Sequence, residues 1–196
     1  MAEFKTMIRT LMAVVVIAFC ATTFYYYTEQ GKARAEALIP TLPDFEHTNI
    51  QEFLDNVIEC VNYIEHNTTD VYPVNLELLL AQAALESGWG TSRFAIKANN
   101  LFGIRTFTES VPHLIPQGIE KWSGWGVRVF PSKCDSVKEY VRLLNEHPAY
   151  KEFRELREKT NDSLQLIKTL DAFSTTKDYD KRVARMIFKI RELEKK

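Results

Sequence analysis

The chain has 196 residues, and its 25 Lys and Arg against 26 Asp and Glu give a formal net charge of −1. Hydrophobic residues make up 45% and charged residues 26% of the chain. This composition is typical of globular proteins and excludes a disordered chain, a collagen-like repeat and a disulfide-dense miniprotein. The near-neutral balance also argues against a protein that coats nucleic acid, so no nucleic-acid partner is expected.

An uncharged run of 19 residues extends from Thr10 to Thr28, preceded by Lys5 and Arg9 and closed by three consecutive tyrosines. As a helix, a run of this length would cover about 30 Å, the thickness of a bilayer core. Basic residues before the run and aromatic residues after it are typical of a membrane segment whose N-terminus lies in the cytosol. The sequence therefore predicts a transmembrane helix that precedes the rest of the chain.

The chain is expected to keep this helix as an anchor. Residues 33–35 fit a signal-peptidase site, but the apolar run is longer than a usual signal sequence and ends well before that site. The predicted order is a cytosolic N-terminus (1–9), a transmembrane anchor (10–28), a linker (29–46) and a folded domain (47–196). This order predicts a single-pass protein of the inner (cytoplasmic) membrane, with its domain on the periplasmic or extracytoplasmic side.

The folded domain is predicted to be mainly α-helical. Apolar residues over 50–64 recur at helical spacing, which predicts the first helix. Asn75 can cap a second helix over residues 76 to about 87, and Gly88 would end it. Because this second helix is apolar nearly all round, we expect it at the centre of the core. Further helices are predicted over about 92–97, 135–146, 163–173 and 179–193.

Residues 101–130 differ from the rest of the domain, because glycines, prolines, aromatic residues and β-branched residues alternate there. This texture predicts a β-hairpin or a small irregular sheet. The expected fold class is therefore α+β, mainly α, with one small β-hairpin.

The cysteines and histidines give no sign of a metal site. Cys20 lies in the predicted anchor, while Cys60 and Cys134 lie in the folded domain and could pair in an oxidising compartment. Cys60 also falls on the apolar stripe of the first helix, so a buried free thiol is an equal alternative. No Cys/His spacing is typical of zinc, and no metal or cofactor is expected.

Glu86 is the chemically unusual residue, because it ends the most apolar helix of the chain. Desolvation and the negative end of the helix dipole both raise the pKa of a carboxyl at such a position. A carboxylic acid that stays protonated near neutral pH can protonate a leaving-group oxygen, as glycosidases require. The alternative is a glutamate that only hydrogen-bonds a neighbouring loop.

Two blocks, AQAALESGWG at residues 81–90 and NNLFG at residues 99–103, resemble the signature of the glucosaminidase family of bacterial cell-wall hydrolases, glycoside hydrolase family 73. The chain is similar to the Bax-like branch of this family, whose members carry an N-terminal membrane or signal segment. The likeness covers about residues 50 to 190. The resemblance implies a lysozyme-like fold and hydrolysis of the β-1,4 bond after N-acetylglucosamine in peptidoglycan. It also implies that Glu86 is the general acid and that residues 47–196 form a glucosaminidase-like catalytic domain.

The family's second carboxylate comes from the β-hairpin after the second block, where this sequence offers Glu109 and Glu120. Glu120 is preferred because Trp122 lies beside it. An inverting enzyme needs its two carboxyls about 6.5–9.5 Å apart, whereas a substrate-assisted route needs no second protein nucleophile. Tyr179 matches a family tyrosine that faces the cleft and could orient the N-acetyl group or a water molecule.

Five residues are candidates for substrate binding: Trp89, Asn100, Phe102, Trp122 and Trp125. An aromatic face can stack on a pyranose ring, and Asn100 could hydrogen-bond the sugar or cap a turn. The expected partners are a peptidoglycan glycan strand, the membrane, and envelope or division proteins. Two other functions stay open, a non-catalytic peptidoglycan-binding scaffold and a lytic transglycosylase on the same fold.

Overall fold

The computed structural model describes residues 21–28, 42–67 and 73–195. The chain divides into a unit of residues 1–39, in which residues 21–28 form helix α1, and a unit of residues 40–196. Most of the predicted anchor and linker, residues 10–20 and 29–41, lies outside the described residues. Within the described ranges, no helix combines the length and apolar character needed to cross a membrane. The anchor therefore stays an expectation from the sequence.

The second unit is mainly helical, as predicted. Its helices are α2 (Ile50–Asn67), α3 (Leu76–Ser87), α4 (Arg93–Ala98), α5 (Lys133–Glu146), α6 (Lys151–Arg157), α7 (Ser163–Leu166) and α8 (Tyr179–Leu193). Single 3₁₀ turns lie at Pro148–Tyr150, Ile167–Thr169 and Asp171–Phe173. The helix predicted over 163–173 is therefore α7 followed by two 3₁₀ turns, which bury Leu166, Ile167 and Leu170 together. Helix α6 was not predicted from the sequence.

Helix α3 lies at the centre of the core, where its apolar residues predicted it. The Asn75 side chain caps its start by accepting a hydrogen bond from the Leu78 amide over 2.8 Å. Gly88 ends it in the left-handed conformation, with φ of 58°. Eight of its twelve residues are buried, and it packs against α8 and α2. These contacts fix the last turn of α3, which carries Glu86.

The β region is a three-stranded antiparallel sheet of β1 (Arg105–Thr106), β2 (His113–Leu114) and β3 (Gly126–Arg128), in the order β1-β3-β2. Of the two predicted alternatives, a hairpin or a small irregular sheet, the structure shows the sheet: β2 and β3 form an antiparallel hairpin, and β1 pairs with the other edge of β3. After β1, the Thr106 hydroxyl accepts a hydrogen bond from the Thr108 amide. This local turn lies directly after β1.

A disulfide between Cys60 and Cys134 joins α2 to the first turn of α5. Of the two alternatives that the sequence left open, the structure shows the paired one. Residues 42–46, in the predicted linker, pack beside it. The Lys133 ammonium donates to the Phe45 carbonyl over 2.6 Å, and the Lys133 amide donates to Asp44 over 3.0 Å.

Candidate active site

Glu86 lies in the last turn of α3 and is partly buried. Burial raises the pKa of its carboxyl above the ordinary value of 4.5, because desolvation disfavours the charged form. A hydrogen bond from Tyr179 and the charge of Arg182 oppose this rise. The carboxyl is therefore biased towards the protonated form, while groups that can stabilise its anion stand beside it.

Tyr179 begins α8 and is buried against α3. Its hydroxyl interacts with the Glu86 carboxyl and lowers the pKa of that carboxyl. Burial, and then the charge of Glu86, raises the pKa of Tyr179 far above its usual range, so the hydroxyl keeps its proton. The structure thus brings together two of the predicted site residues from opposite ends of the domain.

Two further polar residues, which were not predicted from the sequence as site residues, lie behind Tyr179. Gln82 Nε2 donates to the Tyr179 hydroxyl over 2.9 Å, and the Tyr140 hydroxyl donates to Gln82 Oε1 over 2.5 Å. Gln82 and Tyr140 are fully buried. A signal for Gln82 was present, because it lies one turn before Glu86 on an otherwise apolar helix.

The turn after Glu86 has an unusual backbone. Gly88, Trp89 and Gly90 have φ values of 58°, 59° and 79°, in the left-handed region that is unfavourable for a tryptophan. Ser87 holds the turn from within, because its hydroxyl donates to the Ala83 carbonyl and accepts from the Gly90 amide. These bonds fix where the Trp89 side chain leaves the backbone.

The Trp89 ring is partly buried and packs edge-on against Phe53, with centroids 6.2 Å apart. The Lys189 ammonium lies 5.0 Å from the ring centroid. Trp89 thus lies close to Glu86 in the chain, with one edge in the core. Its role as a sugar platform stays a prediction.

Phe102 and Asn100 are buried rather than open. Phe102 stacks on Tyr140 with centroids 4.2 Å apart. The Asn100 amide donates to the Ile104 and Arg128 carbonyls and accepts from the Ile104 amide, which stabilises the turn before β1. Both side chains support the fold in this structure, and their predicted contact with substrate stays untested.

Trp122 and Trp125 lie in the β region and are partly buried. The Trp122 ring lies 4.5 Å from the His113 ring, and the Arg105 guanidinium lies 4.2 Å above the Trp125 ring. Each indole is therefore held by a neighbour while part of its surface stays accessible. That arrangement suits a binding platform, and the role stays a prediction.

Glu109 and Glu120 are both exposed, in the β1–β2 and β2–β3 connections respectively. Among the described residues, neither carboxyl forms a hydrogen bond or an ion pair with Glu86. The second carboxylate therefore stays a prediction. Within those same residues, no group of three or more His, Cys, Asp or Glu side chains is placed to hold a metal ion.

Two curated proteins are similar in sequence. The chain is 39% identical over 88 residues to Protein bax of Escherichia coli, a match that covers 45% of this chain and 29% of that protein. It is 27% identical over 149 residues to Peptidoglycan hydrolase FlgJ of Salmonella typhimurium, covering 69% of this chain and 47% of that protein. The matches thus span less than half the length of either relative.

Two solved catalytic domains share the fold. One is the catalytic domain of the autolysin Auto from Listeria monocytogenes, with a TM-score of 0.53, 21% identity, and coverage of 82% of this chain and 93% of that one. The other is the glycoside hydrolase domain of Salmonella typhimurium FlgJ, with a TM-score of 0.53, 23% identity, and coverage of 76% and 92%. The predicted fold, mainly α with a small β region, is thus the fold of glycoside hydrolase domains.

The model of the glucosaminidase family, described as mannosyl-glycoprotein endo-beta-N-acetylglucosaminidase, matches residues 65–192. This range contains Glu86, Tyr179, Gln82 and Tyr140 together with both sequence blocks. Because the match covers more than half of the sequence, the chain belongs to the glucosaminidase family of glycoside hydrolases.

Proposed function

We propose that this chain is a peptidoglycan hydrolase that cleaves the β-1,4 bond after N-acetylglucosamine, with Glu86 as the general acid. The observation that carries the proposal is the partly buried carboxyl at the end of α3, whose pKa is raised by burial and which the Tyr179 hydroxyl contacts. Peptidoglycan is proposed as the substrate because the FlgJ relative is named a peptidoglycan hydrolase.

In the proposed reaction, protonated Glu86 gives its proton to the glycosidic oxygen as the bond from that oxygen to the anomeric carbon breaks. Tyr179 and Arg182 then stabilise the Glu86 carboxylate that forms. Water attacks the anomeric carbon and completes the hydrolysis. In an inverting reaction Glu120, or else Glu109, would take the water's proton. In a substrate-assisted reaction the N-acetyl oxygen of the sugar would attack the anomeric carbon first, and water would then open the ring so formed, passing its proton to the Glu86 carboxylate.

The test is the Glu86→Gln variant of the full chain on purified peptidoglycan, read as release of reducing sugar. Removing a general acid costs about 100-fold or more, so we expect near-complete loss of activity with an unchanged circular dichroism spectrum. Glu77→Gln is the matched control, because Glu77 lies on the same helix and pairs with Arg191 instead. Wild-type activity in the Glu86→Gln variant would contradict the proposal.

Mass spectrometry of the products separates the proposed reaction from its two alternatives. A hydrolysed fragment carries one more water than the anhydro product of a lytic transglycosylase. Binding to sacculi without any soluble fragment would instead identify a non-catalytic scaffold. Comparing Glu120→Gln with Glu109→Gln then tests the second carboxylate. Loss of activity in one variant alone identifies the base, while activity in both supports the substrate-assisted route.

We also propose that the domain works outside the cytosol, tethered by the uncharged run over residues 10–28. The Cys60–Cys134 disulfide supports this location, because such bonds persist in oxidising compartments. Fractionation of cells that express the full chain should recover it with the membranes. Alkylation followed by peptide mapping should label Cys60 and Cys134 only after reduction. A protein that remains in the soluble fraction with Cys60 and Cys134 labelled before reduction would contradict the location.

A further inference from the structure

We propose that Gln82 and Tyr140 are positioning residues that hold the Tyr179 hydroxyl proton towards Glu86. The inference rests on the proposed role of Glu86 as the general acid and adds two residues to that machinery. Neither touches the scissile bond, and both act through Tyr179.

The geometry is a single chain of hydrogen bonds that crosses the core from α5 to α3 and α8. The Tyr140 hydroxyl lies 2.5 Å from Gln82 Oε1, and Gln82 Nε2 lies 2.9 Å from the Tyr179 hydroxyl. The Tyr179 hydroxyl in turn interacts with the Glu86 carboxyl and lowers the pKa of that group. Tyr140 and Gln82 are 0% exposed and Tyr179 is 6% exposed, so water cannot readily replace either hydroxyl's partner.

The chain has a defined direction. A glutamine amide has one end that accepts and one end that donates. Because Tyr140 donates to the oxygen of Gln82, the amide nitrogen must face Tyr179 and donate to its hydroxyl oxygen. The only proton of Tyr179 is then left for Glu86. With the amide reversed, its oxygen would compete with Glu86 for that proton.

Tyr140 is itself held rigidly. Its ring stacks on Phe102 at 4.2 Å and meets the edge of Phe173 at 5.8 Å. The titratable groups that face this chain are Arg182 from α8, beside Glu86, and Tyr150 from the 3₁₀ turn, near Tyr140. Only the hydroxyl of Tyr140 takes part in the chain, so it can be removed while the ring packing is kept.

Breaking the chain has a definite consequence for catalysis. The bond from Tyr179 stabilises the Glu86 anion and lowers its pKa. Hydrogen bonds in series strengthen one another, so a Tyr179 hydroxyl without its donor is a weaker and less well oriented partner. The pKa of Glu86 should then rise, and the alkaline limb of the activity profile should move to higher pH, because that limb reports ionisation of the acid.

The experiment compares pH profiles of kcat and kcat/KM for the full chain, with soluble peptidoglycan fragments as substrate. Tyr140→Phe should move the alkaline limb to higher pH by roughly 0.3 unit. This is the shift expected when one bond that strengthens the interaction of Tyr179 with Glu86 is lost. Gln82→Met should move it further. Tyr150→Phe is the matched control, because it removes a neighbouring hydroxyl that is not part of this chain of hydrogen bonds. The alkaline limb of its pH profile should stay in place.

The double variant tests whether Tyr140 acts through Gln82. If it does, Gln82→Met with Tyr140→Phe has the same alkaline limb as Gln82→Met alone. A lower Tm with an unmoved limb in both single variants would overturn the inference and leave both residues with a structural role only. If Glu86→Gln is inactive while the limbs do not move, only this inference fails. If Glu86→Gln is active, the proposed function fails first.

Discussion

His47 Nε2 lies 2.8 Å from the Trp89 carbonyl oxygen and joins the segment before α2 to the turn after Glu86. Because a carbonyl oxygen only accepts, the His47 proton is on Nε2. Its Nδ1 atom is buried and has no hydrogen-bond partner in the described part of the chain. The family match begins at residue 65, so residues upstream of the matched region support this turn.

We expect His47→Ala to weaken both the fold and the activity. The substitution removes the bond to Trp89 and the ring that packs 5.2 Å from Phe53. The free energy of unfolding should fall by about 2 kcal/mol, the range for losing one buried hydrogen bond with its packing. Urea denaturation measures that loss, and kcat should fall with it because the left-handed turn is less well held.

His47→Gln is the matched control, because its amide nitrogen can still reach the Trp89 carbonyl. It should recover part of the stability and most of kcat. Equal stability in His47→Ala and the wild type would show that the contact does not hold the turn.

Gly90 and Gly103 provide a comparison between backbone strain and steric overlap. Both have positive φ, 79° and 67°. A Cβ atom at Gly90 would lie 2.9 Å from Phe53 and closer still to His47, whereas one at Gly103 would meet nothing within 4 Å. Gly103→Ala should cost about 1 kcal/mol of stability from its φ alone. Gly90→Ala should cost about 3 kcal/mol, because overpacking is added.

Thermal or urea unfolding of the two glycine variants checks the difference. Equal destabilisation would mean that φ alone limits both positions. A Gly90→Ala variant as stable as the wild type would mean that His47 and Phe53 can move aside without cost.

Local signals predicted α3 and the chemistry of its last turn. Asn75, the apolar run and Gly88 fix the ends of α3 through contacts within a few residues, so the sequence alone was enough. Glu86 was identified in the same way, as a carboxyl in an apolar helix. Its partner Tyr179 was predicted only through the family resemblance, because no local sequence pattern links residues on two separate helices.

What the sequence did not predict depends on contacts between distant residues. Gln82 and Tyr140 are 58 positions apart, and only the folded structure shows that their side chains meet. The order of the β-strands likewise depends on a contact between distant residues. Strand β1 pairs with β3 and not with β2, the next strand along the chain. Phe102 has the aromatic ring that a sugar-binding platform needs, yet stacking on Tyr140 buries that ring.

The Cys60–Cys134 disulfide should contribute strongly to stability. It links residues 74 positions apart, and closing a loop of that length stabilises a fold by about 4 kcal/mol through the entropy of the unfolded chain. A Cys60→Ser/Cys134→Ser variant should therefore unfold at clearly lower urea concentration. Reduced wild type should match it. If reduction left the midpoint unchanged, the bond would be absent from the protein in solution.

The raised pKa of Glu86 predicts that its ionised carboxyl destabilises the fold. A group whose pKa is higher in the folded state binds its proton more tightly there, so stability falls as pH rises through the unfolded value, near 4.5, to the folded value. Glu86→Gln imitates the protonated form and avoids this loss. The variant should match the wild type in Tm at acidic pH and exceed it at neutral pH. Glu59→Gln, exposed on α2, should show no such divergence. A Tm difference for Glu86→Gln that is independent of pH would mean that the carboxyl is not desolvated.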